Sequence, residues 1–390
     1  MYLPRSFRVL IAVSVISAIS GCTTVKRQAP PEHLAVNAKI PHIPRARYWG
    51  DETPPFVSEL LALSDEEVQE QYPQLLNRKI EVLSISGGGE SGAYTAGLML
   101  GWTARGDRPS FMIVNGISTG AIVAPFVFLG PKYDDVLLEL YSKYATRDAV
   151  KRRNLATVFA SDALYDTAPL RGILRSYLTD DVIDEIAQEY RKGRWLLLGS
   201  VNLDLMRPVS WDLGRIAASD HPNKRDLILD IIMASSAIPC AFPPVLIDVE
   251  AEDRIYQEMH VDGGIYSQII TGTIAYRRDD VERKIKAKGT TRCYVIRNAK
   301  TEPEWKEVRS KIIPIAARSL SSMIRTQGLD NLKEMYLTAK RDGYEIYLTA
   351  IPPDFNVESK ELFDPDYMNA LIDAGYDAMV NGDPWIKKLD

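Results

Sequence analysis

A short strand, a tight glycine turn and a helix follow one another without interruption between residues 111 and 130. The apolar run at 111–114 is typical of a buried strand, and the small apolar residues at 121–129 are typical of a buried helix. The turn between them, Gly116-Ile117-Ser118-Thr119-Gly120, fits the pattern G-x-S-x-G. Its serine lies beside the N–H groups that begin the helix, which favour negative charge. Ser118 is therefore a candidate nucleophile, although a plain glycine-rich turn would give the same pattern.

A second glycine-rich turn lies between a strand predicted at 79–85 and a helix predicted at 93–102. Its residues, SGGGESG at 86–92, present backbone N–H groups to an anion. The spacing of its glycines also fits the dinucleotide fingerprint G-x-G-x-x-G, which would make the chain a nucleotide-dependent oxidoreductase. That fingerprint needs an acidic residue at the end of the next strand, where this chain has Asn115.

Beside a serine nucleophile, the same loop is better explained as an oxyanion hole. No lysine follows Gly92, so the loop is not a Walker phosphate-binding loop. The N–H groups of Gly88 and Gly89 would stabilise the tetrahedral oxyanion that forms when Ser118 attacks an ester. Losing one such donor typically raises the barrier by about 2.7–4 kcal/mol.

A third motif, Asp262-Gly263-Gly264, ends a strand predicted at 258–262. An aspartate at the carboxyl edge of a parallel sheet is placed for a site, whereas a plain Asp-Gly turn is the alternative. Asp262 is the candidate base for Ser118. His260 lies two residues earlier and would share a face with Asp262 in an extended strand. A serine–histidine pair therefore stays open beside a core or supporting role for His260.

The first residues have the composition of a targeting segment. Arg5 and Arg8 precede the apolar run 9–19, which is too short to span a bilayer but fits a secretory signal. The ending Ile19-Ser20-Gly21-Cys22 resembles a bacterial lipoprotein signal, which implies cleavage before Cys22 and acylation of that cysteine as a membrane anchor. Thr23 follows rather than aspartate, which by analogy favours the outer membrane, facing the periplasm. An ordinary signal peptide is the alternative.

Composition divides the chain into three parts. Residues 1–21 are the predicted signal, residues 22–77 are polar and proline-rich, and residues 78–390 alternate predicted helices and strands. The middle part is expected to be a tether that lifts the body off the membrane and then wraps its surface. The alternation predicts an α/β fold with a mainly parallel sheet and helices on both faces. Lys and Arg total 47 against 52 Asp and Glu, without a basic cluster, which argues against nucleic-acid binding.

The glycine loop, the serine turn and the aspartate turn occur in the order found in patatin-like phospholipases. Residues 79–350, which contain all three motifs, resemble that family. The resemblance implies a three-layer α/β/α patatin-like fold and hydrolysis of lipid acyl esters through an acyl-serine intermediate, without metal or cofactor. It implies that Ser118 is the nucleophile and Asp262 the base. The glycines that it implies for the oxyanion loop and for the serine and aspartate turns are Gly87, Gly88, Gly89, Gly92, Gly116, Gly120, Gly263 and Gly264.

Two positions depart from the family pattern. The loop begins with Ser86 where the family usually has aspartate, and Ser91 stands where it usually has arginine or lysine. A cation at position 91 would organise the loop or meet a phosphate, so phospholipid preference stays open. The change motivates a second hypothesis, a lipid-binding or envelope-organising lipoprotein on the same fold without useful catalysis. Cys240 and Cys293 are expected to be unpaired buried thiols, with a disulfide as the alternative.

Overall fold

The computed structural model describes residues 27–154, 161–270 and 278–387. The predicted signal at 1–21 and the predicted lipidation site Cys22 lie outside these residues. The strands of the described residues are β1 (Arg47–Trp49), β2 (Glu81–Ile85), β3 (Ile113–Ile117), β4 (Lys151–Arg152), β5 (Tyr165–Asp166), β6 (Trp195–Asn202), β7 (Arg207–Asp212), β8 (Val245–Ala251), β9 (Arg254–Asp262), β10 (Arg292–Arg297) and β11 (Glu345–Ala350). The helices are α1 (Glu32–Ala35), α2 (Pro55–Ala62), α3 (Asp65–Gln71), α4 (Ala93–Arg105), α5 (Thr119–Leu129), α6 (Asp134–Ser142), α7 (Thr146–Ala149), α8 (Ala168–Tyr177), α9 (Asp180–Arg191), α10 (Leu213–Ala217), α11 (Lys224–Ser235), α12 (Arg278–Lys284), α13 (Ile312–Asp342) and α14 (Pro365–Val380).

The middle of the main sheet is parallel. Across the sheet, β6, β3, β2, β10 and β11 are neighbours in that order and run in the same direction. On the other side of β6, β7 and then β1 add in antiparallel orientation, and the antiparallel pair of β8 and β9 also reaches β6. The predicted mainly parallel central sheet is confirmed. The antiparallel additions were not visible in the alternation of helices and strands.

Each face of the sheet carries its own hydrophobic core. Alternate residues of a strand point to opposite faces, and Leu83 belongs to one core while Val82 belongs to the other. In β6, Leu196 and Leu197 divide in the same way. The first core packs chiefly against α4, α5, α6, α8, α9, α11 and α14, and the second against α2, α3, α12 and α13. This arrangement is the three-layer α/β/α fold that the sequence predicts.

The described part of the N-terminal segment is packed against the body rather than extended from it. β1 widens the sheet by pairing with β7, and its Trp49 is buried in the first core. Phe56 of α2 stacks on Trp195 with 4.7 Å between the ring centroids. The tether expected within 22–77 stays a prediction, whereas residues 27–77 wrap the body, as that segment was also expected to do. Their apolar side chains show no clear period in the sequence, yet they complete both cores.

Candidate active site

Strands β3 and β9 meet end to end along one edge of β6. β3 runs parallel to β6, and its last residue, Ile117, pairs with Gly199. β9 runs antiparallel to β6, and its last residue, Asp262, pairs with the next residue, Ser200. Because Ser118 follows Ile117, the strand register alone brings the two predicted site residues together. The sequence analysis expected Asp262 to end a strand of the parallel sheet, and this expectation is wrong, since β9 is antiparallel to its neighbour.

The turn that carries Ser118 is held in a strained conformation. Ser118 has φ 57° and ψ −123°, which a residue with a side chain keeps only when its surroundings hold it there. A Cβ on Gly116 would lie 2.4 Å from the carbonyl oxygen of Gly120, and one on Gly120 would lie 2.3 Å from that of Ile85. Both glycines of the G-x-S-x-G pattern are therefore required by the close approach of neighbouring backbone.

Two serines that the sequence analysis did not assign to the site hold the backbone of this turn. The N–H of Ser118 donates to Ser235 Oγ at 3.0 Å, and the Ser235 hydroxyl donates to the carbonyl oxygen of Gly199 at 2.6 Å. The Ser236 hydroxyl donates to the carbonyl oxygen of Ser118 at 3.1 Å. The pair fixes the strained turn from both sides. Both serines end a helix before a proline-rich loop, and no motif spacing connects them to position 118.

The hydroxyl of Ser118 lies against the carboxyl group of Asp262 and, as a potential hydrogen-bond donor, lowers the pKa of that carboxyl group. The same carboxyl group accepts from the N–H of Gly264 at 2.7 Å. Ser118 and Asp262 are 6% and 5% exposed, so both are nearly closed to solvent. Burial raises the pKa of Asp262 to about 6, and the hydroxyl of Ser118 and the N–H of Gly264 act against that rise. Asp262 is thus a stronger base than an ordinary aspartate, yet still mostly ionised at neutral pH.

The glycine-rich loop lies directly against the serine. A Cβ on Gly87 would lie 3.0 Å from Ser118 Cβ, and one on Gly88 would lie 2.4 Å from the carbonyl oxygen of Asn298. Within the described residues, the backbone N–H groups of Gly88 and Gly89 donate to no protein acceptor. Both glycines border the same cleft as Ser118. The loop can therefore offer two donors to an oxygen that develops charge next to the serine.

Ser86 and Asn298 fix the start of this loop. The Ser86 hydroxyl donates to the carbonyl oxygen of Gly87 at 2.7 Å and accepts from the N–H of Asn298 at 2.9 Å. The side-chain amide of Asn298 donates to the carbonyl oxygen of Ser86 at 3.0 Å. The serine found in place of the family's usual aspartate therefore has a structural role of its own. At the other end of the loop, Gly92 lies against Thr119 at the start of α5.

Gln268 connects the aspartate turn to the glycine loop and was not assigned to the site from the sequence. After Asp262 the chain turns through Gly263 and Gly264, and the amide of Gln268 donates to the carbonyl oxygen of Gly264 at 3.1 Å. The amide oxygen of Gln268 lies 3.2 Å from the position of a Cβ on Gly87. Gln268 is also nearly buried. No sequence motif marks Gln268, so its position near the dyad is known only from the fold.

His260 uses both ring nitrogens away from Ser118. Its Nδ1 lies 3.0 Å from Ser200 Oγ, and its Nε2 lies 3.1 Å from a carboxylate oxygen of Glu258. Burial lowers the pKa of His260, and Glu258 also forms an ion pair with Arg47. The serine–histidine pair that the sequence left open is not formed. His260 instead has the core role that was its other interpretation.

Ser118 and Asp262 line a cleft of about 990 Å³. One wall is the loop at 238–241. The opposite wall is the first half of α13, which contributes Ala316, Leu320 and Ile324. The site is therefore open to a substrate much larger than a short ester.

A second cavity, of about 50 Å³, also begins at Ser118 and is almost entirely apolar. The residues that line it belong to several elements and include Ile122, Leu140, Leu170, Ile173, Leu174, Phe242 and Phe363. Leu170, Ile173 and Leu174 share one face of α8. Leu170 and Leu174 pack in the first core, and the same face also borders this cavity.

The described residues offer no group of three or more histidine, cysteine, aspartate or glutamate side chains that could hold a metal ion. In the same residues, no helix has the length and apolar character needed to cross a bilayer. Cys240 and Cys293 are free thiols. Cys293 is buried as expected, whereas Cys240 is exposed, which corrects the expectation that both are buried.

Comparisons with known proteins bear on the fold and on the general activity. Among solved structures, that of VipD from Legionella pneumophila is similar with a TM-score of 0.33 and 13% identity, over 78% of this chain and 66% of that chain. This chain thus spans just under two thirds of that protein's length, and the likeness is too weak to carry an argument. A comparison with curated protein sequences finds no significant match. Residues 83–273 match the family model described as patatin-like phospholipase, so the α/β fold of this chain is patatin-like and the match supports a lipid acyl hydrolase in general.

Proposed function

We propose that this protein is a lipid acyl-ester hydrolase in which Ser118 is the nucleophile and Asp262 the base. The observation that carries the proposal is the placement of the Ser118 hydroxyl against a buried carboxyl group at the end of an opposing strand. The unoccupied N–H groups of Gly88 and Gly89 beside it supply an oxyanion hole. These three parts are sufficient for acyl transfer without a histidine.

In the first half of the reaction, Asp262 takes the proton of the Ser118 hydroxyl as its oxygen attacks the ester carbonyl. The carbonyl oxygen becomes an oxyanion, which the N–H groups of Gly88 and Gly89 stabilise. The tetrahedral intermediate then collapses, and its bond to the leaving alkoxide breaks. Protonated Asp262 gives its proton to that alkoxide, which departs as an alcohol and leaves an acyl group on Ser118.

In the second half, water replaces the alcohol beside Asp262. The carboxylate removes a proton from this water, whose oxygen attacks the acyl-serine and forms a second oxyanion in the same hole. Collapse of that intermediate returns the proton to the oxygen of Ser118 and releases a fatty acid. The raised pKa of Asp262 suits both halves, since one group must accept and then return a proton.

The cavities favour a lipid over a small soluble ester. The apolar cavity at Ser118, of about 50 Å³, suits the first carbons of an acyl chain, and the larger cleft suits the remainder of a lipid. Large apolar side chains are exposed beside the cleft, with Trp305 90% exposed and Ile312 87% exposed. Lys306, Arg309 and Lys311 lie between them in the sequence. Such a mixture of apolar and basic residues suits contact with a lipid surface, from which a substrate could enter the cleft.

We also propose that the protein acts from a membrane anchor. The support is the sequence at residues 1–22, which resembles a lipoprotein signal with Cys22 as the acylated residue. Attachment to the outer membrane, on its periplasmic side, would place the exposed apolar residues near their substrate. Mass spectrometry of the mature protein tests this directly, since the proposal requires acyl groups on an N-terminal Cys22.

A fluorophosphonate probe that carries a reporter tag tests the catalytic proposal. We expect the probe to label Ser118 in the wild type, and both labelling and hydrolysis of p-nitrophenyl butyrate to be lost in Ser118→Ala. Ser322→Ala is the matched control, because Ser322 is an exposed serine that borders the same cleft outside the dyad. Folded wild-type protein that neither labels nor turns over would refute the proposal and favour a lipid-binding lipoprotein without catalysis.

A further inference from the structure

Two arginines face the cleft that contains Ser118 without a carboxylate to pair with. Arg297 ends β10 and is 2% exposed, and Arg325 lies half-buried on α13. Both border the cleft together with Asp262. In the part of the chain that the structure describes, neither guanidinium forms an ion pair, although most other buried or half-buried arginines do. Two unpaired cations at a proposed active site require an explanation.

Most of the donors on these two guanidiniums are unused within the described residues. Arg297 donates from Nε to the carbonyl oxygen of Lys300 at 3.3 Å, and Arg325 donates from one terminal nitrogen to that of Thr301 at 2.7 Å. The Nε of Arg325 is buried without any partner. A guanidinium has five N–H donors. Each arginine therefore keeps further donors for a ligand in the cleft.

The two positive charges act on each other at close range. Burial, together with the smaller effect of the charge on Arg325, lowers the pKa of Arg297 to about 10. Like charges in a poorly solvated place destabilise the folded protein unless an anion comes between them. The acidic residues that border the cleft near the loop at 298–304, Glu302 and Glu304, are exposed and do not pair with either arginine. The pair is therefore arranged for an anion that the chain itself does not supply.

This pair lies one side chain away from the dyad. On one side, Gln268 contacts Gly87 of the glycine loop, next to Ser118. On its other side, Gly328 of α13 brings the helix close. A Cβ at Gly328 would lie 2.5 Å from a terminal nitrogen of Arg297 and 3.1 Å from Cγ of Gln268. An anion on the arginines would thus be separated from an ester at Ser118 by about the width of one side chain.

The glycine loop does not provide a positive charge for an anion in the cleft. Position 91 is a serine whose hydroxyl lies 3.0 Å from the hydroxyl of Tyr367. Two other cations border the cleft, and both are half-buried and donate to carbonyl oxygens outside the dyad. Lys300 donates to Pro353, and Arg318 donates to Glu304. Among the described cations that border the cleft, Arg297 is therefore the one that is fully buried, and Arg325 acts on it directly.

We propose that Arg297 and Arg325 bind the phosphate of a phospholipid whose acyl ester is attacked by Ser118. Guanidinium groups bind phosphate oxygens through paired, charge-assisted hydrogen bonds, and a phosphate in a glycerophospholipid lies a few bonds from the acyl ester. The inference rests on the proposed function and deepens it, because it makes phospholipids rather than neutral glycerides the preferred substrates. It also supplies the cation that the serine at position 91 lacks.

Hydrolysis of two lipids with the same acyl chains tests the proposal. Dioleoylphosphatidylcholine and dioleoylglycerol are presented in the same neutral detergent micelles, and the zwitterionic lipid avoids general attraction to surface cations. We expect Arg325→Gln to lower kcat/KM about 10-fold or more for the phospholipid, and to leave dioleoylglycerol within about 2-fold. Arg297→Lys, which keeps the charge but loses the forked geometry, should give a smaller loss of the same kind. Lys333→Gln, on the exposed side of α13, is the control.

Binding by Ser118→Ala separates this proposal from the catalytic one. This variant should bind phosphatidylcholine micelles more tightly than dioleoylglycerol micelles, and the difference should disappear when Arg325→Gln is added. That result would support the phosphate site even if the wild type hydrolysed neither lipid. If Arg325→Gln lowered the hydrolysis of both lipids equally, the arginines would have only a structural role. If it lowered the hydrolysis of neither lipid, the arginines would be excluded as a phosphate site. Tight binding of inorganic phosphate without any lipid preference would assign the site to free phosphate and overturn the inference.

Discussion

Ile117 and Asp262 lie opposite consecutive residues of β6, although the strands that they end run in opposite directions. The hydroxyl and the carboxyl of the proposed dyad are therefore positioned by backbone pairing rather than by a mobile loop. Sites built on strands hold their geometry more closely than sites built on loops. A fixed geometry matters for an aspartate base. Its side chain is shorter than that of histidine and has no second ring nitrogen to orient it, so it depends on a fixed hydrogen bond.

The first prediction concerns the pH dependence of hydrolysis. Asp262 must be ionised to accept the proton of Ser118, and burial raises its pKa to about 6. Activity should therefore be lost as the pH falls through about 6, where an aspartate with the ordinary pKa of 3.8 would still be ionised. The pH profile of kcat/KM for p-nitrophenyl butyrate measures this. Full activity maintained down to the ordinary aspartate pKa would contradict it.

The second prediction is that Asp262→Asn loses activity and gains stability. The folded pKa of about 6 exceeds the ordinary 3.8, so the ionised carboxylate opposes folding above pH 6 by about 3 kcal/mol, and this effect vanishes below the ordinary value. Asparagine keeps an acceptor for the N–H of Gly264. We expect the free energy of unfolding in urea to rise by about 1–3 kcal/mol at neutral pH. No gain is expected in acid, and a loss at neutral pH would disprove the explanation.

The third prediction separates the two serines that hold the elbow. Ser235→Ala removes the partner of both the Ser118 N–H and the Gly199 carbonyl, and an unsatisfied buried group costs about 1–3 kcal/mol of stability. We also expect kcat to fall about 10- to 100-fold with little change in KM, because the nucleophile moves while the cleft remains. Ser236→Ala removes one bond to the Ser118 carbonyl and should have a smaller effect on both measurements. Equal effects of the two variants would contradict this order.

The sequence predicted the parts of the fold that short local patterns determine. The strand–turn–helix order around Ser118 follows from apolar runs and glycines that are close together in the chain, and the structure reproduces it. The alternation of elements likewise predicted a parallel central sheet between two helical layers. Ser118 and Asp262 are far apart along the chain. Their motifs suggested a nucleophile and its base, but their closeness in space follows from the register of β6.

Other parts of the site depend on contacts that no local pattern encodes. Ser235, Gln268 and Arg297 come to the dyad from three separate elements, and each has the composition of an ordinary helix end, loop or strand end. The direction of β9 was also beyond the sequence, since an apolar strand pairs equally well in either direction. How deeply the N-terminal segment packs into both cores was also beyond the sequence, for a related reason. Its short elements have too few apolar residues to show a period, although Trp49 and Phe56 are buried.

The fourth prediction tests the apolar cavity as the site of the acyl chain. Ile173 borders that cavity from α8, and tryptophan in its place would fill space that a chain would occupy. We expect Ile173→Trp to lower kcat/KM for p-nitrophenyl palmitate about 10-fold and to leave p-nitrophenyl acetate nearly unchanged. Ile255→Trp is the matched control, because Ile255 is half exposed on β9 and borders neither cavity. A uniform loss across chain lengths would place the acyl chain elsewhere.

The last prediction concerns the backbone contact that makes the elbow possible. A Cβ on Gly120 would lie 2.3 Å from the carbonyl oxygen of Ile85. The backbone of neither residue can move away without shifting β2 or α5. We therefore expect Gly120→Ala to lower the free energy of unfolding by several kcal/mol, about 2–4, and to abolish probe labelling of Ser118. Gly172→Ala is the control, since Gly172 lies in α8 with nothing near its Cβ position, and alanine there should raise stability by about 0.5–1 kcal/mol. If Gly120→Ala folded with wild-type stability and still reacted with the probe, the elbow could not be as closely packed against β2 as the structure has it.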